Sequence, residues 1–539
     1  MTVEIISGIS NLAFLFFFSF ISYYILVSYG LLCVNKKFFS KNDESLLFII
    51  GVIVLNIASF LMYILNFKFY LNFIIFLFGA YLLYKNLNFF RKTLKKNFII
   101  FISTFLLLIV SKTHEDFYDY HFKFIDQITN FNFAVGLGNL HFNFIYSSFF
   151  SYFQKIFFLP NIEYKIIFVP VFLLYFSFIN FLFNNIKKNN NYSHVFIFIL
   201  FLTLLKFNNL KSFGYDFISH IILLHLIMYF LISFNRKINV YFLLILFFYA
   251  VLIKATSLFY IFIFLGIFIF VYIRRTKIHF ENNEKKFNIT LISLIIIFFC
   301  NSIINSGCVT YFIDFTCSKK FFSWAINLDQ INNFSEHVEL TAKGFYHQNA
   351  VDRMANPNDY LMNFNWISNW IKIHFFYRVF ELILIVALCF ILVMVCLRPK
   401  LMVKKDKLLG LILLLTSFSS IIFWFVKYPD IRFGISSILV FFISLFLLFN
   451  VNYNFSSNIK KKINIFTIIL LLFFNAKNIQ RIYSEFKRTD RYAFTDFPYP
   501  PINKNLYKTE NLIYSKTVNH MIENQEFSNV FWINVITNK

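Results

Sequence analysis

Fourteen apolar stretches nearly free of charge run through this chain, at about 9–34, 46–66, 69–89, 98–111, 165–183, 194–207 and 216–234, then 239–253, 258–273, 288–306, 377–397, 408–426, 435–451 and 463–477. Stretches near twenty residues match the hydrocarbon thickness of a bilayer when helical. In lipid every backbone polar group must be satisfied within its own segment, so such stretches can only be helices or the strands of closed barrels. Blocks of about 15–22 residues read as helices, and several are short, which leaves two re-entrant or miscounted segments as the alternative to a full set of spans. The expected class is therefore all-α integral membrane, with about fourteen transmembrane helices. Composition agrees: 59% of the 539 residues are hydrophobic and 14% charged, against ~45–50% and ~25% in ordinary globular chains.

The loops alternate in charge. One set is basic: Lys36, Lys37 and Lys41, then Lys85, Arg91, Lys92, Lys95 and Lys96, then Lys187 and Lys188, then Arg236 and Lys237. It continues with Arg274, Arg275 and Lys277, with Arg398, Lys400, Lys404 and Lys405, and with Lys460, Lys461 and Lys462. Excess Lys and Arg mark cytoplasmic loops, so both termini and every other loop are expected outside, in the periplasm of a bacterial inner membrane. Two of these periplasmic loops are long, about 112–164 and 307–376. The expected organisation is a polytopic domain over 1–476 and a polar periplasmic tail over 477–539. The first apolar block is long, has no basic segment before it and no small-residue cleavage site after it, so it reads as a span and not a cleaved leader.

A net charge of +24 points to nucleic acid only where basic residues cluster on a soluble face. Here they sit in short loops, and the partners they imply are anionic membrane lipids. The 85 Phe follow the general abundance of residues with A/T-rich codons and are read as packing, not ligand sites. Of the six cysteines, Cys33, Cys300, Cys389 and Cys396 fall in or beside helices as small apolar residues. Cys308 and Cys317 share the second long loop, where an oxidising periplasm permits a disulfide and two free thiols are the alternative.

Chemistry is sought in loops held by a rigid scaffold. The first long loop opens with Ser111-Lys112-Thr113-His114-Glu115-Asp116-Phe117-Tyr118-Asp119-Tyr120-His121. Adjacent carboxylates repel, which raises one pKa toward the range of a general base. The same pair, Glu115 and Asp116, also suits a divalent cation, which hard oxygen ligands bind; a solvated acidic loop is the plain alternative. Further on, Val135-Gly136-Leu137-Gly138-Asn139-Leu140-His141 lacks the Lys and Ser/Thr of a phosphate loop and reads as a turn between interfacial helices at about 122–134 and 142–158. A short external turn follows at Tyr428-Pro429-Asp430-Ile431-Arg432-Phe433-Gly434. Pro429 stops the helix, Gly434 permits re-entry, and Arg432 at headgroup depth offers the planar fork that suits a phosphate; a snorkelling arginine, or one paired with Asp430, is the alternative. Lys254 and Asp216 at helix ends are weaker instances, by the rule that intramembrane charge marks function. In the second long loop Trp324, Trp366 and Trp370 read as interfacial anchors, while His337 and His347 are too far apart for a zinc site.

Several of these stretches together resemble a known family. Asp116-x-x-x-Tyr120-His121, Gly136-Leu137-Gly138-Asn139-Leu140-His141, the Cys308 to Cys317 stretch and Pro429-Asp430-x-Arg432-Phe433 resemble a bacterial membrane-protein family of GT-C-like architecture, and more broadly the GT-C superfamily of membrane glycosyltransferases. The resemblance implies an external active site that moves a sugar from a polyprenyl-phosphate carrier to an envelope acceptor with inversion. It implies Asp116 or Glu115 as catalytic base or metal ligand, and Arg432, with Lys254, as holder of the donor phosphate. His114, Asp119, Tyr120, His121, Asn139 and His141 would line the substrate. In the superfamily the acidic motif usually follows the first helix; here it follows the fourth apolar block. A flippase for a lipid-linked glycan and a non-catalytic membrane protein are the competing classes.

Overall fold

The computed structural model describes residues 2–34, 44–67, 70–109, 117–162, 164–187, 192–207, 215–233, 239–274, 284–311, 313–346, 356–397, 400–401, 407–448, 451–452, 457–488, 497–499, 525–530 and 533–538. Helix α1 (Thr2–Cys33) packs along α2 (Glu44–Ile64). A Cβ on Gly30 would lie 2.0 Å from the carbonyl oxygen of Leu47, and one on Gly51 2.0 Å from that of Leu26. The pairs 30 with 47 and 26 with 51 fix an antiparallel crossing so close that only glycine fits, as in small-residue membrane interfaces.

The chain continues through α3 (Tyr70–Lys85), α4 (Leu87–Thr104) and the single turn α5 (Leu106–Ile109). The first long loop then folds into α6 (Phe122–Asn130), the two-residue strand β1 (Ala134–Val135), α7 (Leu137–Leu140) and α8 (Phe150–Ile156). Four helices, α9 (Val169–Lys187), α10 (Ser193–Lys206), α11 (Tyr215–Ser233) and α12 (Val240–Ile253), form the centre, where most described side chains are buried and none is exposed. Around them stand α13 (Ile261–Ile273) and α14 (Glu284–Ser306). The second long loop carries α15 (Leu328–Ala342), α16 (Pro357–Leu361) and α17 (Ile367–Trp370), and leads into α18 (Phe380–Leu397). A small ribbon pairs β2 (Lys400–Leu401) with β3 (Val451–Asn452) beyond the hairpin of α19 (Lys407–Lys427) and α20 (Ile431–Leu448). Last come α21 (Ser457–Arg488) and the hairpin of β4 (Gln525–Val530) and β5 (Ile533–Asn538).

The all-α membrane class is borne out. Among the described residues ten helices are long and apolar enough to cross a membrane. The fourteen apolar blocks are all helical, but α10 and α12 are shorter than that standard, and α3 and α4 form a pair bent by 95°. Peripheral helices leave apolar stripes outward, such as Ile289, Ile292, Ile296 and Phe299 on α14, at the spacing of one helix face.

Two ends of the bundle differ. At one, Glu44 on α2 accepts from Asn97 at 2.6 Å and from Thr93, while Lys96 donates to Asn180 at 3.0 Å and to Asn184 on α9. At the other, both long loops meet, with Phe142 against Phe334 at 4.6 Å and Tyr146 against Tyr311 at 4.9 Å between ring centres. Of the two segments expected to lie flat at an interface, the one that forms α8 is buried at every residue, because its polar face, Ser151, Gln154 and Lys155, turns inward and bonds Tyr215 through Ser151 and Gln154. The boundary expected at 477 falls inside α21, and the tail returns to the first loop, β5 pairing parallel with β1.

Candidate functional site

The turn between α19 and α20 is held from three directions. Trp424 donates its indole N–H to the Asp430 carbonyl at 2.7 Å, and Trp370 donates its own to the Pro429 carbonyl at 2.7 Å. Asp430 caps α20 by accepting the backbone N–H of Arg432 at 3.0 Å, the usual work of Asp at this position. Its carboxylate also faces the Arg432 Nε at 3.2 Å and Arg378 at 3.7 Å. Asp430 is buried while Arg432 remains 47% exposed, so the guanidinium is anchored at one edge and presented to its surroundings.

Lys254, where α12 ends, joins the same group. Its ammonium lies 3.3 Å from Asp216 at the start of α11, and both Lys254 and Arg432 sit over the ring of Phe433, at 5.7 and 4.8 Å from its centre. Asp216 feels Lys254, Arg432 and His220 together. One turn along α11, His220 contacts the Arg432 carbonyl through Nε2 at 2.7 Å and Ser436 through Nδ1 at 2.6 Å. A carbonyl only accepts, so Nε2 carries the proton and Nδ1 accepts from the hydroxyl when the ring is neutral. His220 thereby ties α11 to the first turn of α20 and fixes where Arg432 begins.

The first long loop reaches this cluster through Tyr215. Its hydroxyl bonds Ser151 at 2.7 Å and Gln154 at 2.8 Å, both on α8. His121, closing the π-helical turn Phe117–His121, packs edge-on against the Tyr215 ring at 4.6 Å. Tyr120 lies 4.0 Å from His121 and 6.3 Å from His141. Above them α15 forms a roof: Ser335 meets the Tyr428 hydroxyl at 3.3 Å, and Phe334 stacks on Tyr146. Burial pushes the Tyr146 phenol up, with Tyr311 and Tyr428 adding to it, so the Tyr146 hydroxyl stays protonated and able to donate. A cavity of about 30 Å³ is lined by Tyr146, Ser147, Ile253, Ala255, Asn301 and Tyr311, with room for a water or two.

Of the residues expected from sequence, Arg432 and Lys254 meet beside Asp216, while Tyr120, His121 and His141 form a chain of rings that ends on Tyr215. Asn139 is not among them. Its amide donates to the carbonyls of Trp324 at 3.0 Å and Ile536 at 2.9 Å, so it ties the C-terminal strand to the first loop. Gly136, at φ 78°, belongs to the same latch. Gly434 lies inside α20 and not at a re-entry of the chain; a Cβ there would lie 2.6 Å from the Trp424 ring, so it is small to admit the indole that holds the turn. Trp366 and Trp370 are buried beneath the second loop and are not interfacial anchors. His114, Glu115 and Asp116, the side chain of Asp119, His347 and Asp352 lie outside the described residues. Among the described residues no group of three His, Cys, Asp or Glu is placed to hold a metal ion. Cys308 and Cys317 form a disulfide.

Sequence reasoning passed over Tyr215, His220 and Arg378. A histidine four residues after Asp216 in an apolar block was the available signal for one of them, since it shares a helix face with the acid.

No curated protein and no solved structure matches the chain. The model of one family, described as "Domain of unknown function (DUF8201)", matches residues 12–439. That match takes in the first long loop, the Lys254 helix end and the turn bearing Arg432, and the chain belongs to this family.

Proposed function

We propose that the protein is a GT-C-like membrane glycosyltransferase of a bacterial inner membrane, moving a sugar from a polyprenyl-phosphate donor to an envelope acceptor on the external face. The observation that carries this reading is the meeting of Arg432 and Lys254 over Phe433 beside Asp216, at the end of the bundle where both long loops converge. A lipid-borne phosphate must be met at the membrane boundary, and the two cations stand at helix ends. In the transfer, the acceptor oxygen forms its bond to the anomeric carbon as the carbon–oxygen bond to phosphate breaks. Polyprenyl phosphate departs with the electron pair, and Arg432 and Lys254 stabilise its growing negative charge. The acceptor proton passes to a carboxylate acting as general base, Asp116 or Glu115 of the loop that runs into His121. The Tyr146 and Tyr428 hydroxyls, with His141, are suited to hydrogen-bond sugar hydroxyls.

Replacing Arg432 by Ala tests this. Loss of one preorganised charge at a transition state costs about 10²–10³-fold in rate. The variant is expected to lose envelope glycan modification by that order while inserting at wild-type levels. Asp116→Asn is expected to do the same through the base. Unchanged glycan in both variants would overturn the reading.

A further inference from the structure

The loop directly after α14 has two faces with different chemistry. Its backbone is pinned by the Cys308–Cys317 disulfide, by the Val309 N–H to Thr316 carbonyl bond at 3.2 Å, and by the Thr316 hydroxyl to the Thr310 carbonyl at 2.7 Å. Inward, Tyr311 packs on Tyr146 and lines the small cavity shared with Ser147 and Asn301. Outward, Phe315 is 87% exposed and Phe321 84%, with exposed Lys319 and Lys320 between them in sequence.

The depth of this loop is set by its bonds to α14. Trp324 donates its indole N–H to the Ile303 carbonyl at 2.8 Å, and the Ile326 N–H bonds the Ser306 carbonyl at 3.0 Å. The segment that ends at Trp324 is thus held level with the last turn of a helix whose other face is an apolar stripe. By the length and apolar composition of α14, that level corresponds to the boundary expected between acyl chains and headgroups. Two rigidly held phenylalanines flanking two lysines match the boundary: rings among the upper acyl carbons, ammonium groups among phosphates.

We infer that the segment from Cys308 to Trp324, pinned by this disulfide at its start, is a lipid-binding element, inserting Phe315 and Phe321 into the bilayer interface and holding anionic phospholipid headgroups with Lys319 and Lys320. The inference does not depend on the glycosyltransferase reading. The test uses the full chain in nanodiscs of phosphatidylcholine mixed with phosphatidylglycerol, with p-benzoylphenylalanine in place of Phe315 or Phe321. Ile292 on the α14 stripe serves as the lipid-facing control, and exposed Gln330 on α15 as the solvent control. After irradiation, mass spectrometry is expected to find lipid adducts at 315 and 321 as at 292, and none at 330. Phosphatidylglycerol is expected to be over-represented in these adducts, falling by about fivefold for each of Lys319→Ser and Lys320→Ser. Adducts only to a second protein copy, or none at 315 and 321 while 292 reports, would overturn the insertion. Lipid adducts without preference for the anionic lipid would overturn the headgroup binding.

Discussion

Lys155 shows what a residue type alone conceals. In the sequence it is one more lysine of a basic chain; in the fold it is 1% exposed, on a helix of seven residues too short to span, with the face of Tyr63 5.4 Å from its ammonium. Burial pulls its pKa down from 10.5 to about 7. Between those values the unfolded chain binds the proton that the folded chain has released, so stability rises with pH across that window. Below about pH 7 the folded protein carries the full cost, on the order of 4–5 kcal/mol. Lys155→Met is therefore expected to raise the thermal midpoint in detergent most at pH 6, with the gain shrinking toward pH 9–10. A gain equal at both pH values would refute the burial argument. Arg432 and Lys254, by contrast, were legible, because a charge at the edge of an apolar block stands out. Tyr215 and Gln154 were not, since polar side chains that meet through the tertiary fold leave no spacing to read.

The same holds for short elements made by distant pairing. Strand β1 has two residues and becomes a strand only because β5, some four hundred positions later, lies beside it with Ala134 opposite Asn534 and Val135 opposite Val535. The Gly136 to His141 stretch was recognisable as a turn, but its purpose depends on that partner. A Cβ on Gly136 would lie 2.3 Å from the Ile536 carbonyl oxygen, and the backbone there is left-handed, which costs an L-residue about 1–2 kcal/mol before any clash. Asn139→Ala removes two hydrogen bonds and takes this donor from two carbonyls, those of Trp324 and Ile536, a loss of about 1–3 kcal/mol. Gly136→Ala is expected to do more, since neither backbone can give way without breaking the pairing. Hydrogen exchange over 533–538 should quicken in both variants, and faster in Gly136→Ala. Protection unchanged from wild type would show that the C-terminal hairpin is held by something else. Helices such as α14 needed no partner to be found, because their length and uniform apolarity already decide their structure.

How often the chain crosses the bilayer turns on α3 and α4. Their 95° bend at Asn86 admits either one broken span or two crossings. Contacts with fixed neighbours favour two. Near its start α3 lies at the end of the bundle bearing the long loops, where Asn72 donates to the carbonyls of Lys155 and Phe158, both at 2.8 Å, and satisfies the terminal carbonyls of α8. The bend itself leads into Arg91, Lys92, Lys95 and Lys96, and Lys96 binds Asn180 and Asn184 near the opposite end of α9. Helix α4 then runs back along α1, from Phe90 beside Tyr24 to Phe105 beside Phe16, and Ser103 meets Asn475 of α21. At 1.5 Å per residue, the 16 residues of α3 reach only about 24 Å, short of a ~30 Å core, and the basic side chains after the bend can cover the difference by snorkelling. A single cysteine at Asn86 in a cysteine-free background is thus expected to react with an impermeant maleimide only from the face opposite to one that labels Gln330→Cys. Were Asn86→Cys silent from both faces, the bend would lie within the bilayer. The pair would then count as one span, and every loop before it would exchange sides relative to the basic ones that follow.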